Sequence, residues 1–107
     1  MYTGTTPTIT LAFTDDISGA TSVVVTFAVP LTRGVVLSKS DDELTFRTED
    51  DTHYIDVFLS QEETLKMPKN VLVQVNFLFD EDRRSCSEIA TVTFNKNLNE
   101  EVMTDAT

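Results

Sequence analysis

The stretch NVLVQVNFLF (residues 70–79) decides the fold. Val71, Val73, Val75, Phe77 and Phe79 occupy every second position, with Leu72, Gln74, Asn76 and Leu78 between them. On a helix of 3.6 residues per turn those five side chains would scatter around the circumference; on a pleated strand they form one continuous apolar face. The segment therefore predicts a core strand, with a second face of mixed character.

Working upstream, SQEETLKMP (60–68) places Ser60 three residues before Glu63, the spacing of a capping box. A single helical turn over residues 61–67 follows, ended by Pro68, with Leu65 and Met67 lying over one end of the core. This local role also accounts for Glu62 and Glu63. Adjacent residues on a helical turn point about 100° apart and do not converge on a substrate as paired catalytic carboxylates must. Downstream, DEDRR (80–84) is a polar hairpin loop. SCSEIATVTF (85–94) returns from it with Cys86, Glu88, Ala90, Val92 and Phe94 on one face, which predicts a packed thiol at Cys86.

The remaining chain repeats the alternation in shorter pieces. PTITLAF sets Ile9, Leu11 and Phe13 against Thr8, Thr10 and Ala12. SVVVTFAV (22–29) is a continuous apolar run that suits a central strand covered on both faces. GVVLSK and LTFR read as a third and a fourth strand. THYIDVFLS (52–60) puts Ile55, Val57 and Leu59 on one face and Tyr54, Asp56 and Phe58 on the other. Seven short strands separated by polar turns, with one helical turn before the sixth, predict an all-β protein: an antiparallel, immunoglobulin-like β-sandwich. The expected organisation is one domain over residues 1–95 and a C-terminal arm over 96–107.

Composition bounds the function. Among 107 residues, 18 acids against eight Lys and Arg leave a formal charge of −10, which repels nucleic acid and anionic membrane surfaces. Neither is expected as a partner. One cysteine permits no internal disulfide, and one histidine leaves a zinc site without a second imidazole. The acidic clusters at 15–16, 41–43, 49–51 and 80–82 fall in turns and lack the alternating spacing of a calcium loop, so they read as solvated turns. With three glycines and no phosphate-binding loop or nucleophile elbow, the sequence predicts no enzyme, no catalytic residue, no metal and no cofactor. Contact surfaces are sought instead in Tyr54 and Phe58 on the second face of the fifth strand, in Arg83 and Arg84 at the hairpin tip, and in Leu98, Val102 and Met103 on the arm. Arg83 and Arg84 are expected to pair first with the neighbouring acids.

The segments GTTPTITLAF, DISGATSVVVTF, LSQEETLKM, VQVNF and RRSCSEIATVTFNKNLNEEV together resemble small proteins encoded in phages and prophages of Gram-positive gut bacteria. DISGATSVVVTF is in addition similar to the start of the β-sandwich domains of phage baseplate upper proteins, with Ile17 at a leucine position. The resemblance implies a virion structural protein, in capsid decoration or in the tail or baseplate, synthesised in the host cytoplasm. It implies assembly with other phage structural proteins and homo-oligomerisation, with a trimer as one form. The alternative is an acidic binding module or small inhibitor of a host protein, whose negative charge mimics nucleic acid or blocks a basic host surface.

Overall fold

The computed structural model describes residues 1–14, 17, 19–80, 83–98 and 103. Among these residues there are eight strands: β1 (Thr8–Phe13), β2 (Ser22–Ala28), β3 (Val35–Ser40), β4 (Leu44–Glu49), β5 (Thr52–Phe58), β6 (Asn70–Leu78), β7 (Arg84–Cys86) and β8 (Ala90–Thr93). One helical turn, α1 (Gln61–Leu65), lies between β5 and β6. The strands form two antiparallel sheets, one ordered β1-β5-β4 and the other β3-β2-β6 with β7 and β8 both on the far side of β6. This is the predicted all-β sandwich.

The connectivity is immunoglobulin-like. β1 runs into β2 across the sandwich, β5 into β6 likewise, and the pairs β1·β5 and β2·β6 are neighbours in opposite sheets. In immunoglobulin terms one sheet reads D-E-B and the other C′-C-F-G. The strand that would precede β1 is reduced to a parallel bridge between Tyr2 and Asn95. Around it, the Thr3 N–H donates to Asn95 O at 2.9 Å and the Asn95 N–H to Met1 O at 2.6 Å, tying the N-terminus to the end of the last strand.

The core follows the alternation. Val23, Val25 and Phe27 of β2 and Val71, Val73, Val75 and Phe77 of β6 are buried, facing Ile9, Leu44, Ile55, Val57 and Leu59 of the other layer. Phe13 meets Phe77 edge-on with ring centroids 5.4 Å apart, closing one end; Met67 and Phe94 are buried at the other. β2 departs from expectation. Its Ser22, Val24, Thr26 and Ala28 are only partly buried, because a two-layer sandwich covers each sheet on one side.

Local chemistry explains the connections. The Glu63 N–H donates to Ser60 Oγ at 3.2 Å and the Ser60 N–H to Glu63 Oε1 at 2.8 Å, completing the capping box. Asp50 and Asp51 both sit at positive φ (47° and 65°) between Glu49 and Thr52, which are paired across the hairpin. A two-residue hairpin loop of this kind needs left-handed backbone at both positions, and aspartate tolerates it. Asp41, also at positive φ (38°), heads the 3-10 turn Asp41–Glu43 where the chain crosses from β3 to β4. Its carboxylate accepts from the Val23 N–H at 2.9 Å and from Ser22 Oγ at 3.3 Å, pinning the crossover to β2. Two of the four acidic clusters are thus turns, as read. Asp15, Asp16, Glu81 and Asp82 lie outside the described residues.

The last strand is split, and the split reverses one expectation. Cys86 pairs with Asn76 while Ala90 pairs with Val73, so Ser87, Glu88 and Ile89 stand opposite Gln74 and Val75 alone. Three residues against two is a bulge. Ser87 holds it: its N–H donates to Val75 O at 2.8 Å, its hydroxyl accepts from the Val75 N–H at 3.0 Å, and its carbonyl accepts from Gln74 Nε2 at 3.0 Å. One extra residue shifts the faces of everything before it. Val92 and Phe94 point inward as predicted, but Cys86 falls opposite outward-facing Asn76 and is exposed, not packed.

Candidate interaction surface

The outer face of the three-stranded sheet is where Tyr54 and Phe58 were expected to meet a partner. Register brings Thr10, Asp56 and Thr45 into one row across β1, β5 and β4, with Arg47 beside Tyr54 in the next row. Arg47 Nε lies 2.8 Å from Asp56 Oδ2, Nη2 3.4 Å from Oδ1, and Nη1 3.5 Å from Glu49 Oε1, while Thr10 Oγ1 donates to Asp56 Oδ1 at 2.7 Å. These bonds, from the guanidinium first and the hydroxyl second, hold the Asp56 carboxyl below its ordinary range. The same guanidinium sits 4.5 Å above the Tyr54 ring, a favourable cation–π geometry. Tyr54 is therefore covered from within its own chain. Phe58, at the other end of β5, is 53% exposed and stays available.

The hairpin arginines divide similarly. Arg83 is held by Asp80: its Nε reaches Oδ2 at 2.9 Å and its backbone N–H reaches Oδ1 at 3.0 Å, with the guanidinium 5.8 Å from the Phe79 ring. Self-pairing is the observed state of Arg83. Arg84 instead donates to Asn76 Oδ1 at 3.0 and 3.3 Å and remains exposed on the outer face of the larger sheet.

On the arm, Leu98 is fully exposed and Met103 is 71% exposed; Val102 lies outside the described residues. The arm returns to the domain at two points. Thr3 Oγ1 accepts from the Asn97 N–H at 3.1 Å, and the Gln61 side chain donates to Met103 O at 2.9 Å and accepts from the Met103 N–H at 2.7 Å. Met103 is thereby anchored at the start of α1, three residues along the chain from Phe58. Phe58 and the Met103 anchor thus lie toward the end of the sandwich that carries α1, and Arg83 and Arg84 follow the opposite end of β6.

Two structural features escaped the sequence reading. Lys39, on the edge strand β3, pairs with core residue Val25 and so points between the sheets, where its Nζ lies 2.8 Å from Glu63 Oε2. The alternation of VVLSKS contains this lysine, but nothing local predicts a partner from α1. Burial raises the Glu63 pKa; Lys39 and the Ser60 N–H outweigh it, and the net displacement is downward. A carboxyl lowered in the folded state stabilises the protein above its unfolded value, about 4.3, and that contribution fades as the pH falls through the folded value. Glu63→Gln is thus expected to be less stable than wild type at neutral pH, with a shallower loss of thermal stability in acid. Melting curves from pH 7 downward check this, Asp56 supplying the acid sensitivity that remains.

The second feature is a pair of clefts along the edges of the sandwich. One, of about 740 Å³, opens beside β4 over Val23, Leu44 and Phe46, with Asp41, Asp42 and His53 on its walls. The other, of about 540 Å³, opens beside β1 over Leu11, Phe13, Val73 and Val75, with Ser87 and Glu88 on its walls. Among the described residues no group of three or more His, Cys, Asp and Glu side chains is placed to hold a metal ion, and no helix is long and apolar enough to cross a membrane.

The chain matches no protein-family model and no curated protein.

Proposed function

We propose that the protein is a non-enzymatic structural component of a phage particle, a β-sandwich that works by protein–protein assembly in capsid decoration or in the tail or baseplate. The observation that carries this reading is the exposure of three large apolar side chains, Phe58, Leu98 and Met103, the last of them held by its backbone at the start of the helical turn. Exposed apolar side chains gain most from burial against a partner. The pattern resemblance of the quoted segments to phage-encoded proteins supplies the setting.

The competing reading, an acidic mimic of nucleic acid, needs carboxylates free to imitate phosphates. At least five of the eighteen are engaged within the chain, Asp41 with β2, Glu43 with the Ser40 N–H, Asp56 with Arg47, Glu63 with Lys39 and Asp80 with Arg83, and the acidic clusters lie in separated stretches of the sequence, not in a spaced stripe. That distribution favours assembly. Removal of residues 97–107 is the test. The expected result is a domain that keeps its cooperative melt, since Phe94 and the Tyr2–Asn95 bridge remain, and that no longer incorporates into particles or binds other phage structural proteins in a co-purification. Unimpaired incorporation would overturn the role given to the arm, and capture of a basic host protein by the intact chain would favour the mimic.

A further inference from the structure

A sandwich of two open sheets has four edges, and each edge offers unpaired backbone groups to another strand unless something obstructs it. Three are obstructed here. β4 carries Arg47 and Glu49 and ends at Asp50 and Asp51. β3 carries the inward-pointing Lys39 and a register shift at its pairing with Phe27 and Ala28. The third obstructed edge, β7 and β8 on the far side of β6, consists of three- and four-residue strands broken by the Ser87 bulge. Charges, inward charges, bulges and short strands are the known devices against edge pairing.

β1 has none of them. Thr8–Phe13 is six residues long, uncharged, free of proline and in unbroken register with β5. The Leu59 N–H donates to Pro7 O at 3.0 Å, which makes Pro7 and Leu59 a hydrogen-bonded pair. In an antiparallel ladder such pairs alternate, so Ile9, Leu11 and Phe13 direct their backbone groups to β5, and Thr8, Thr10 and Ala12 direct theirs to the open side. Among the described residues no strand lies on that side. An immunoglobulin sheet holds one more strand beside this position; here the N-terminal segment pairs with Asn95 instead and leaves the place vacant.

We propose that the vacant place is filled by β1 of a second copy of the chain, the two strands pairing antiparallel about a two-fold axis to make one continuous six-stranded sheet. The inference rests on the assembly reading and names its contact. A two-fold axis perpendicular to the sheet keeps core faces together, so in a register centred on Thr10 the threonines face each other, Thr8 faces Ala12 and Ile9 faces Leu11 of the second copy. Such an interface is self-complementary. No like charges oppose each other within the paired strands, which matters for a chain of charge −10; Asp56, bonded to Thr10 and already neutralised by Arg47, and Glu88, on the wall of the adjoining cleft, are nearby acids among the described residues. Association is therefore expected to strengthen as salt screens the remaining repulsion.

The test is residue-resolved amide hydrogen exchange on the intact chain over a wide concentration range, with the mass in solution followed by light scattering. The expected result is a dimer at high concentration in which exchange at Thr8, Thr10 and Ala12 slows by roughly tenfold or more relative to dilute protein, while Ile9, Leu11 and Phe13 are protected at every concentration. Ala12→Pro removes an outward N–H that bonds nothing in β5 and suits an edge strand. It is expected to stay folded and become monomeric. An oligomer that forms with unchanged exchange at the three outward amides, or that survives Ala12→Pro, overturns the edge contact while leaving assembly intact. A wild-type monomer at every concentration overturns self-pairing, and the particle-incorporation test of the truncated chain then judges the assembly reading by itself.

Discussion

Val75→Asp is expected to abolish cooperative folding at neutral pH. Val75 is 1% exposed at the middle of β6, paired with fully buried Val25 of β2. A carboxylate there has lost its water among the apolar side chains of the core, with Glu88, a like charge, on the wall of the nearest cleft. The effective cost of an unpaired buried charge is several kcal/mol, against a total stability of about 5–15 kcal/mol for a domain of this size. Circular dichroism and a thermal melt check the result. Asn76→Asp is the control: the next residue faces outward, already accepts from Arg84, and is expected to leave the melt almost unchanged. A folded Val75→Asp protein together with an unfolded Asn76→Asp protein would mean that the two faces of β6 are exchanged.

Phe94→Ala is expected to cost about 3–5 kcal/mol, the usual range for truncating a buried phenylalanine. Phe94 is 1% exposed just past β8, and its N–H donates to Lys69 O at 2.7 Å. Thr3, Leu65 and Met67 line a recess beside it, so the alanine would extend an existing opening that the surrounding backbone cannot close. For a domain of about a hundred residues this corresponds to a fall in melting temperature of roughly 15 °C or more. Phe58→Ala, on an exposed ring, is expected to fall within about 1 kcal/mol. Equal losses at the two positions would show that Phe58 belongs to the core.

Both predictions rest on alternation, which is the part of the fold most legible in the chain. The inward residues of β1, β5 and β6 could be read directly, because side chains on a strand alternate strictly and the apolar members of each run are large; β2, an unbroken apolar run, gave no such alternation. The capping box at Ser60 and Glu63 was equally legible, its partners being three residues apart. Cys86 was not. The bulge that turns it outward depends on a serine hydroxyl meeting the backbone of β6, a contact between segments that no period-two pattern records.

The candidate surface divides on the same line. Tyr54, Asp56 and Phe58 were correctly placed on one face, but Arg47 is one strand away and converts Tyr54 and Asp56 from available groups into an internally satisfied cluster. Arg83 found its acid, Asp80, within three residues, so sequence sufficed there. Lys39 reached an acid on α1 through the gap between the sheets, and sequence offered no guide.

By itself, then, the sequence determined a single β-sandwich, the identity of its core strands and the turns that separate them, because strand periodicity, proline, aspartate turns and helix caps act over a few residues. The tertiary structure alone decided which strands are neighbours, which edges are guarded and which charged groups are already paired. Those depend on segments distant in the chain being brought within a few ångströms, and on register, where a single inserted residue sends a side chain from the core to the solvent.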